Sequence, residues 1–225
     1  MMKLRFTPRE PEVDPSHVAI TFVDVLFALT AAKVFDILTT VNTIGWPGRW
    51  QLIATTVLII TSWVGYHTSP SSPRWVIRFF NYPFWTFVID VVLVALYFLM
   101  AAYVQGASQL AKKPSAAPGT DIVAAVFALY TLWDWVCLRI NTNARYQSAH
   151  ITQMGKELPD DIKPRRVVTW VCFGLSLVLV ALVNFTSPTN GAWIIGINGL
   201  LIALLLFFRV AKEAVTPAGS EIGGS

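Results

Sequence analysis

Six times along the chain a stretch of about 20 residues is dominated by Leu, Ile, Val, Phe and Ala. Polar residues, proline and glycine gather between these stretches. The apolar stretches run over residues 18–41, 50–67, 82–104, 121–140, 167–186 and 190–210. About 20 apolar residues wound into a helix cross the hydrocarbon core of a bilayer. The pattern therefore predicts an all-α polytopic integral membrane protein with six transmembrane helices. Residues 1–16 read as a cytoplasmic polar leader, 17–212 as the transmembrane domain and 213–225 as a flexible cytoplasmic tail, leaving no stretch for a separate soluble domain.

The punctuation between helices carries further detail. Asp14-Pro15-Ser16 offers cap and first-turn chemistry for helix 1. Gly45-Trp46-Pro47-Gly48 reads as a tight outer turn, which makes helices 1 and 2 an antiparallel pair. Arg74–Phe80, basic and aromatic, is expected to lie in the membrane interface, and Pro83 to open helix 3. Residues 141–166 extend helix 4 inward and then turn at Pro159 and Pro164, as a solvated connector. Ser187–Gly191 is a minimal hairpin between helices 5 and 6.

Charge sets the orientation. The chain is 55% hydrophobic, 13% charged and carries a net charge of +4. With the N-terminus inside, the outer loops hold only Arg49, Lys112 and Lys113, and every other basic residue except Lys33 falls on the inner side. Positive residues mark the inner face of a membrane protein, so both termini are expected inside, in a plasma (bacterial inner) membrane. Basic residues spread over inner loops meet lipid headgroups and need no nucleic acid. The first seventeen residues, polar and mixed in charge, do not read as a signal peptide, so helix 1 is expected both to target and to span. Trp46, Trp50, Trp75, Trp170 and Trp193 fall near helix ends, as an interfacial belt requires.

Catalytic and cofactor chemistry find little support. Cys137 and Cys172 lie inside helices 4 and 5 without CxxC spacing and read as small hydrophobes. His17, His67 and His150 are peripheral, which argues against haem or a metal site, and no Ser or Cys pairs with a base. No cofactor and no enzymatic activity are expected.

The informative residues are charges inside apolar helices, which are costly in a bilayer unless they meet a partner or water. Helix 1 holds three: Asp24, Lys33 and Asp36. On a wheel of about 100° per residue, Ala28, Ala31, Phe35 and Leu38 share the Asp24 side. Leu26, Leu29, Lys33 and Asp36 occupy the opposite side, the candidate lining of a water-filled path. Lys33 is expected near the membrane centre and Asp36 a turn further out, at a spacing that allows a local ion pair. Asp24, His67, Asp90, Asp134 and Arg139 fall at similar depth in the inner leaflet and are read as one network. Its role is either a structural clamp between helices or a proton or ion relay.

The segment Phe22-Val23-Asp24-Val25-Leu26-Phe27-Ala28-Leu29 resembles the helix 1 motif, approximately Phe-Ser-Asp-x-x-Phe-Ala-Ile, of the TMEM175 family of lysosomal and bacterial potassium channels. Trp63-Val64-Gly65-Tyr66-His67 is similar to the aromatic residues and His that end that family's second helix. The layout of bacterial members is also similar in length, helix number and a short loop after helix 5. The resemblance implies a homo-oligomeric pore, tetrameric in the bacterial members, lined by helix 1 and conducting potassium. It carries Leu29 onto the constriction, and Asp24 and His67 onto the packing network of one subunit. Two positions depart from the pattern. Val23 replaces the motif serine, and Lys33 stands where the family has an apolar residue; a ring of charged lysines opposes potassium by Coulomb repulsion.

The expected function is thus a homo-oligomeric channel for a monovalent ion, with the lipid bilayer, copies of itself and the ion as partners. Two alternatives remain open: a proton-coupled secondary transporter working through the inner-leaflet carboxylates, and a non-conducting scaffold or effector partner that docks through Asn141–Arg166.

Overall fold

The computed structural model describes residues 15–68, 82–109, 116–149, 162–186 and 190–215. The polar leader, the Arg74–Phe80 stretch, residues 150–161 of the connector with His150, and the tail beyond 215 lie outside the described residues. Among the described residues six α-helices follow one another: α1 Pro15–Thr39, α2 Trp46–Thr68, α3 Tyr82–Gln109, α4 Ala117–Ala149, α5 Ile162–Thr186 and α6 Gly191–Ala214. A single 3-10 turn, Val41–Thr43, joins α1 to α2.

The helix starts share a local cause. Every helix but the last has a proline in its first turn: Pro15, Pro47, Pro83, Pro118 and Pro164. There the missing N–H has no intrahelical acceptor to lose, and the fixed φ already suits a helix. Pro164 therefore starts α5 rather than ending the connector in a turn, and α5 begins at Ile162, ahead of the expected 167. The sixth helix uses a side-chain cap instead, the Ala192 N–H donating to the Asn190 Oδ1 at 3.0 Å.

Among the described residues, four helical stretches are long and apolar enough to cross a membrane: Phe84–Gln105, Ala117–Cys137, Pro164–Thr186 and Gly191–Ala214. These make the chain an integral membrane protein. Helices α1 and α2 fall outside that measure, α1 carrying Asp24, Lys33 and Asp36, and α2 carrying Arg49, Gln51, His67 and several threonines. Helix α4 has 33 residues, about 50 Å at 1.5 Å per residue, so it outruns its apolar part.

The helices close into a ring in the order α1, α3, α4, α5, α6, α2, with α2 and α3 also touching across the middle. Consecutive helices are not always the closest neighbours. The chain reverses through residues 40–45, and residues 46–48 of the expected Gly45–Gly48 turn instead open α2, where Pro47 suits a first helical turn; α2 runs back along α1, but α1 packs mainly on α3. Its buried stripe explains this: Val23, Phe27, Thr30, Val34 and Ile37 recur at steps of three and four. Phe27 inserts between Tyr97 of α3 and Tyr66 of α2, with ring centroids 5.9 and 6.4 Å away.

Between apolar helices in lipid, close packing and hydrogen bonds drive association more than burial does. The α4–α6 contact shows both shape and order: Tyr130 stacks on Phe208 at 5.3 Å, and Phe127 meets the edge of the same ring at 5.2 Å. Phe127, Tyr97, Leu58 and Met100 are fully buried at the centre. A smaller cluster of Ala116, Val183, Ile194 and Ile197 joins the start of α4 and of α6 to the end of α5.

Candidate functional site

The polar residues expected to meet in one network stand in separate places. On the periphery, the His67 ring nitrogen Nε2 donates to Asp24 Oδ1 at 2.9 Å, tying the last turn of α2 to α1. Trp63 and Tyr66 flank the imidazole at 4.7 and 5.4 Å.

Asp134 belongs to a second group. Lys212 Nζ donates to both of its oxygens at 3.2 and 3.3 Å, and Thr169 Oγ1 donates to Oδ2 at 2.6 Å. One carboxylate thereby joins α4, α5 and α6. The Lys212 ammonium also lies over the Phe208 ring at 4.9 Å, a cation–π contact. Arg139, expected to be the cation of this network, is exposed and lies over the Trp135 ring at 5.3 Å. The helix geometry accounts for the difference: five residues from Asp134 is about 140° around α4, so Arg139 faces away.

Asp90 is alone among the expected acids in facing the middle of the bundle. It is 8% exposed and lines a cavity of about 90 Å³ between α1, α2, α3, α4 and α6, to which Arg165 from the first turn of α5 also contributes. The Trp133 indole lies beside its carboxyl, yet the Trp133 Nε1 is buried with no bond of full geometry. The same cavity carries a run of hydroxyls: Tyr130 stands 2.6 Å from Ser62 and 3.0 Å from Tyr97, linking α4 to α2 and α3. Arg209 and Lys212 of α6 complete the lining.

The residues expected to line a path lie along α1 where it meets α3. Lys33 Nζ donates to Asp36 Oδ2 at 3.2 Å, and Gln105 Nε2 of α3 donates to the same oxygen at 3.3 Å. Lys33 is largely buried, while Asp36 has a 58% exposed side chain. Leu26 and Leu29 border an apolar groove with Val91, Val94, Phe98 and Leu99 of α3, in which Leu29 remains 57% exposed. Lys33 lies six residues from the end of α1 and six from its midpoint at Phe27, about 9 Å along the axis from each. Leu26 and Leu29 are the mid-helix residues.

Cys137 and Cys172 are both free and buried. Among the described residues no three of His, Cys, Asp and Glu converge as metal ligands.

Several partners escape sequence reasoning. Lys212 and Arg209 look like ordinary inner-surface charges, and Thr169 and Ser62 like ordinary helix residues. Tyr97 and Tyr130 offered the one available signal: a phenol inside an apolar helix needs a hydrogen-bond partner. Comparison with protein-family models, curated proteins and solved structures finds no match to this chain.

Proposed function

We propose that the protein is a homo-oligomeric channel for a monovalent ion, with all six helices spanning a bacterial inner membrane and both termini inside. The observation that carries this reading is the outward face where α1 meets α3. It combines the exposed Leu29, Phe98 and Leu99 with a half-exposed carboxylate, Asp36, beside Lys33. An exposed charge on a membrane helix is costly against lipid and is relieved by water or by another subunit. Copies that turn this face toward a common axis give it both.

In such an assembly Leu26 and Leu29, at mid-helix, form the narrow apolar section. Lys33 and Asp36 form a ring of paired charge toward the outer mouth. Apolar constrictions and charged rings are the two elements by which pores gate and select ions. The resemblance of the helix 1 motif to the TMEM175 family supports potassium as the ion and four as the number of subunits. Lys33 works against a cation, and its pairing with Asp36 weakens that effect.

A carrier is the second reading, favoured by one specific observation: the cavity containing Asp90 lies inside a single protomer. The deciding experiment is reconstitution into potassium-loaded liposomes, comparing the wild type with Lys33→Leu. Potassium flux that increases on losing the lysine is the expected result. No flux of any ion from either folded protein overturns the channel and moves the function to a carrier or a non-conducting partner.

A further inference from the structure

We infer that the central cavity of each protomer is a binding site for a small zwitterion, an amino-acid-like solute whose ammonium meets Asp90 and whose carboxylate meets Arg165. This goes beyond the channel reading and does not depend on it.

The first support is the pairing of charges around the cavity. Arg209 has the carboxylate of Glu213 at 2.5 Å, and Lys212 has that of Asp134. Two lining charges have no ion-pair partner among the described residues: Asp90 and Arg165. They are of opposite sign. Asp90 is buried and Arg165 partly so; an uncompensated charge in such a place is unfavourable, and a ligand carrying both signs meets the two together.

Charge balance selects the class of ligand. The lining carries one acid, Asp90, and three cations, of which Arg209 and Lys212 are already paired with Glu213 and Asp134. In a medium of low dielectric, a net cation or anion upsets that balance at considerable cost. A neutral molecule with separated charges leaves it intact.

The remaining groups fit the same ligand. Three hydroxyls, Ser62, Tyr97 and Tyr130, share two close contacts, so one of their protons is left to donate elsewhere. Phe27, Tyr66 and Phe208 supply apolar wall for the carbon skeleton. The volume of about 90 Å³ equals roughly three waters at liquid density, enough for a solute with few heavy atoms. Arg165 in the first turn of α5 and Lys212 in the last turn of α6 place the charged entrance at one end of the bundle.

The test uses the purified full-length protein in nanodiscs and follows thermal unfolding with glycine and with L-alanine. Methylammonium and acetate, which carry the two charged groups singly, are the controls. The expected result is a saturable rise in Tm with a zwitterion and no rise with either half alone. Asp90→Asn and Arg165→Gln should each weaken half-saturation by more than about tenfold, while Arg166→Gln should leave it unchanged. Because Arg165 lies in the first turn of its helix, that variant gives a folded comparison if Asp90→Asn unfolds. Absence of any shift, an equal shift from methylammonium or acetate, or a zwitterion shift that survives Arg165→Gln overturns the assignment. No step reads ion flux, so failure here is separate from failure of the channel reading.

Discussion

Lys212 of α6 and Asp134 of α4, 78 residues apart in sequence, meet at 3.2 Å with only 13% of either side chain exposed. Thr169 of α5 adds a third element to the same carboxylate. Removing one partner of a buried pair leaves an uncompensated charge, at a cost of about 3–5 kcal/mol. Lys212→Met and Asp134→Asn should each lower stability by about that much, and the double variant by clearly less than their sum. Thr169→Val should cost about 1 kcal/mol. Thermal unfolding of the four variants checks the set.

The Asp24–His67 contact should behave differently, because both side chains are partly exposed. A double-mutant cycle with Asp24→Ala and His67→Ala should give a coupling of about 0.2–1 kcal/mol. A coupling near zero would show that the contact adds nothing beyond the packing of α2 on α1.

Water access along α1 is testable with cysteines. In a pore lined as proposed, Leu29→Cys and Asp36→Cys in reconstituted protein should react with a charged, membrane-impermeant thiol reagent, and modification at position 29 should block flux. The native Cys137 and Cys172, both buried, should stay unreacted and give a low background. A Leu29→Cys variant that reacts only with lipid-soluble reagents places that face against the bilayer.

The hydroxyl chain through Tyr130 should be cooperative. Tyr130→Phe removes both of its contacts, to Ser62 and Tyr97, whereas Tyr97→Phe removes one. A hydrogen bond contributes about 0.5–1.5 kcal/mol, so Tyr130→Phe should destabilise more. Adding Tyr97→Phe to it should cost less than Tyr97→Phe alone, because the shared bond is already gone. Unfolding midpoints of the three variants measure this.

The chain's own pattern determined that it is helical and membrane-embedded, because apolar runs and their lengths are properties of contiguous residues. First-turn prolines and the Asn190 cap likewise act within a few residues, so most helix starts lay near their expected positions. The Lys33–Asp36 pair belongs to this class as well, being local to one helix. Packing decided the rest. That α1 leans on α3 rather than α2 depends on how the Phe27 stripe fits between Tyr66 and Tyr97, a match between distant segments. Similar depth in the membrane put Asp24, Asp90, Asp134 and Arg139 on one level, but depth leaves open the direction in which each side chain points. The rotation of each helix about its own axis separated them: Asp24 to the rim with His67, Asp90 to the central cavity, Asp134 to Lys212, and Arg139 outward. That rotation is set by contacts among all six helices at once.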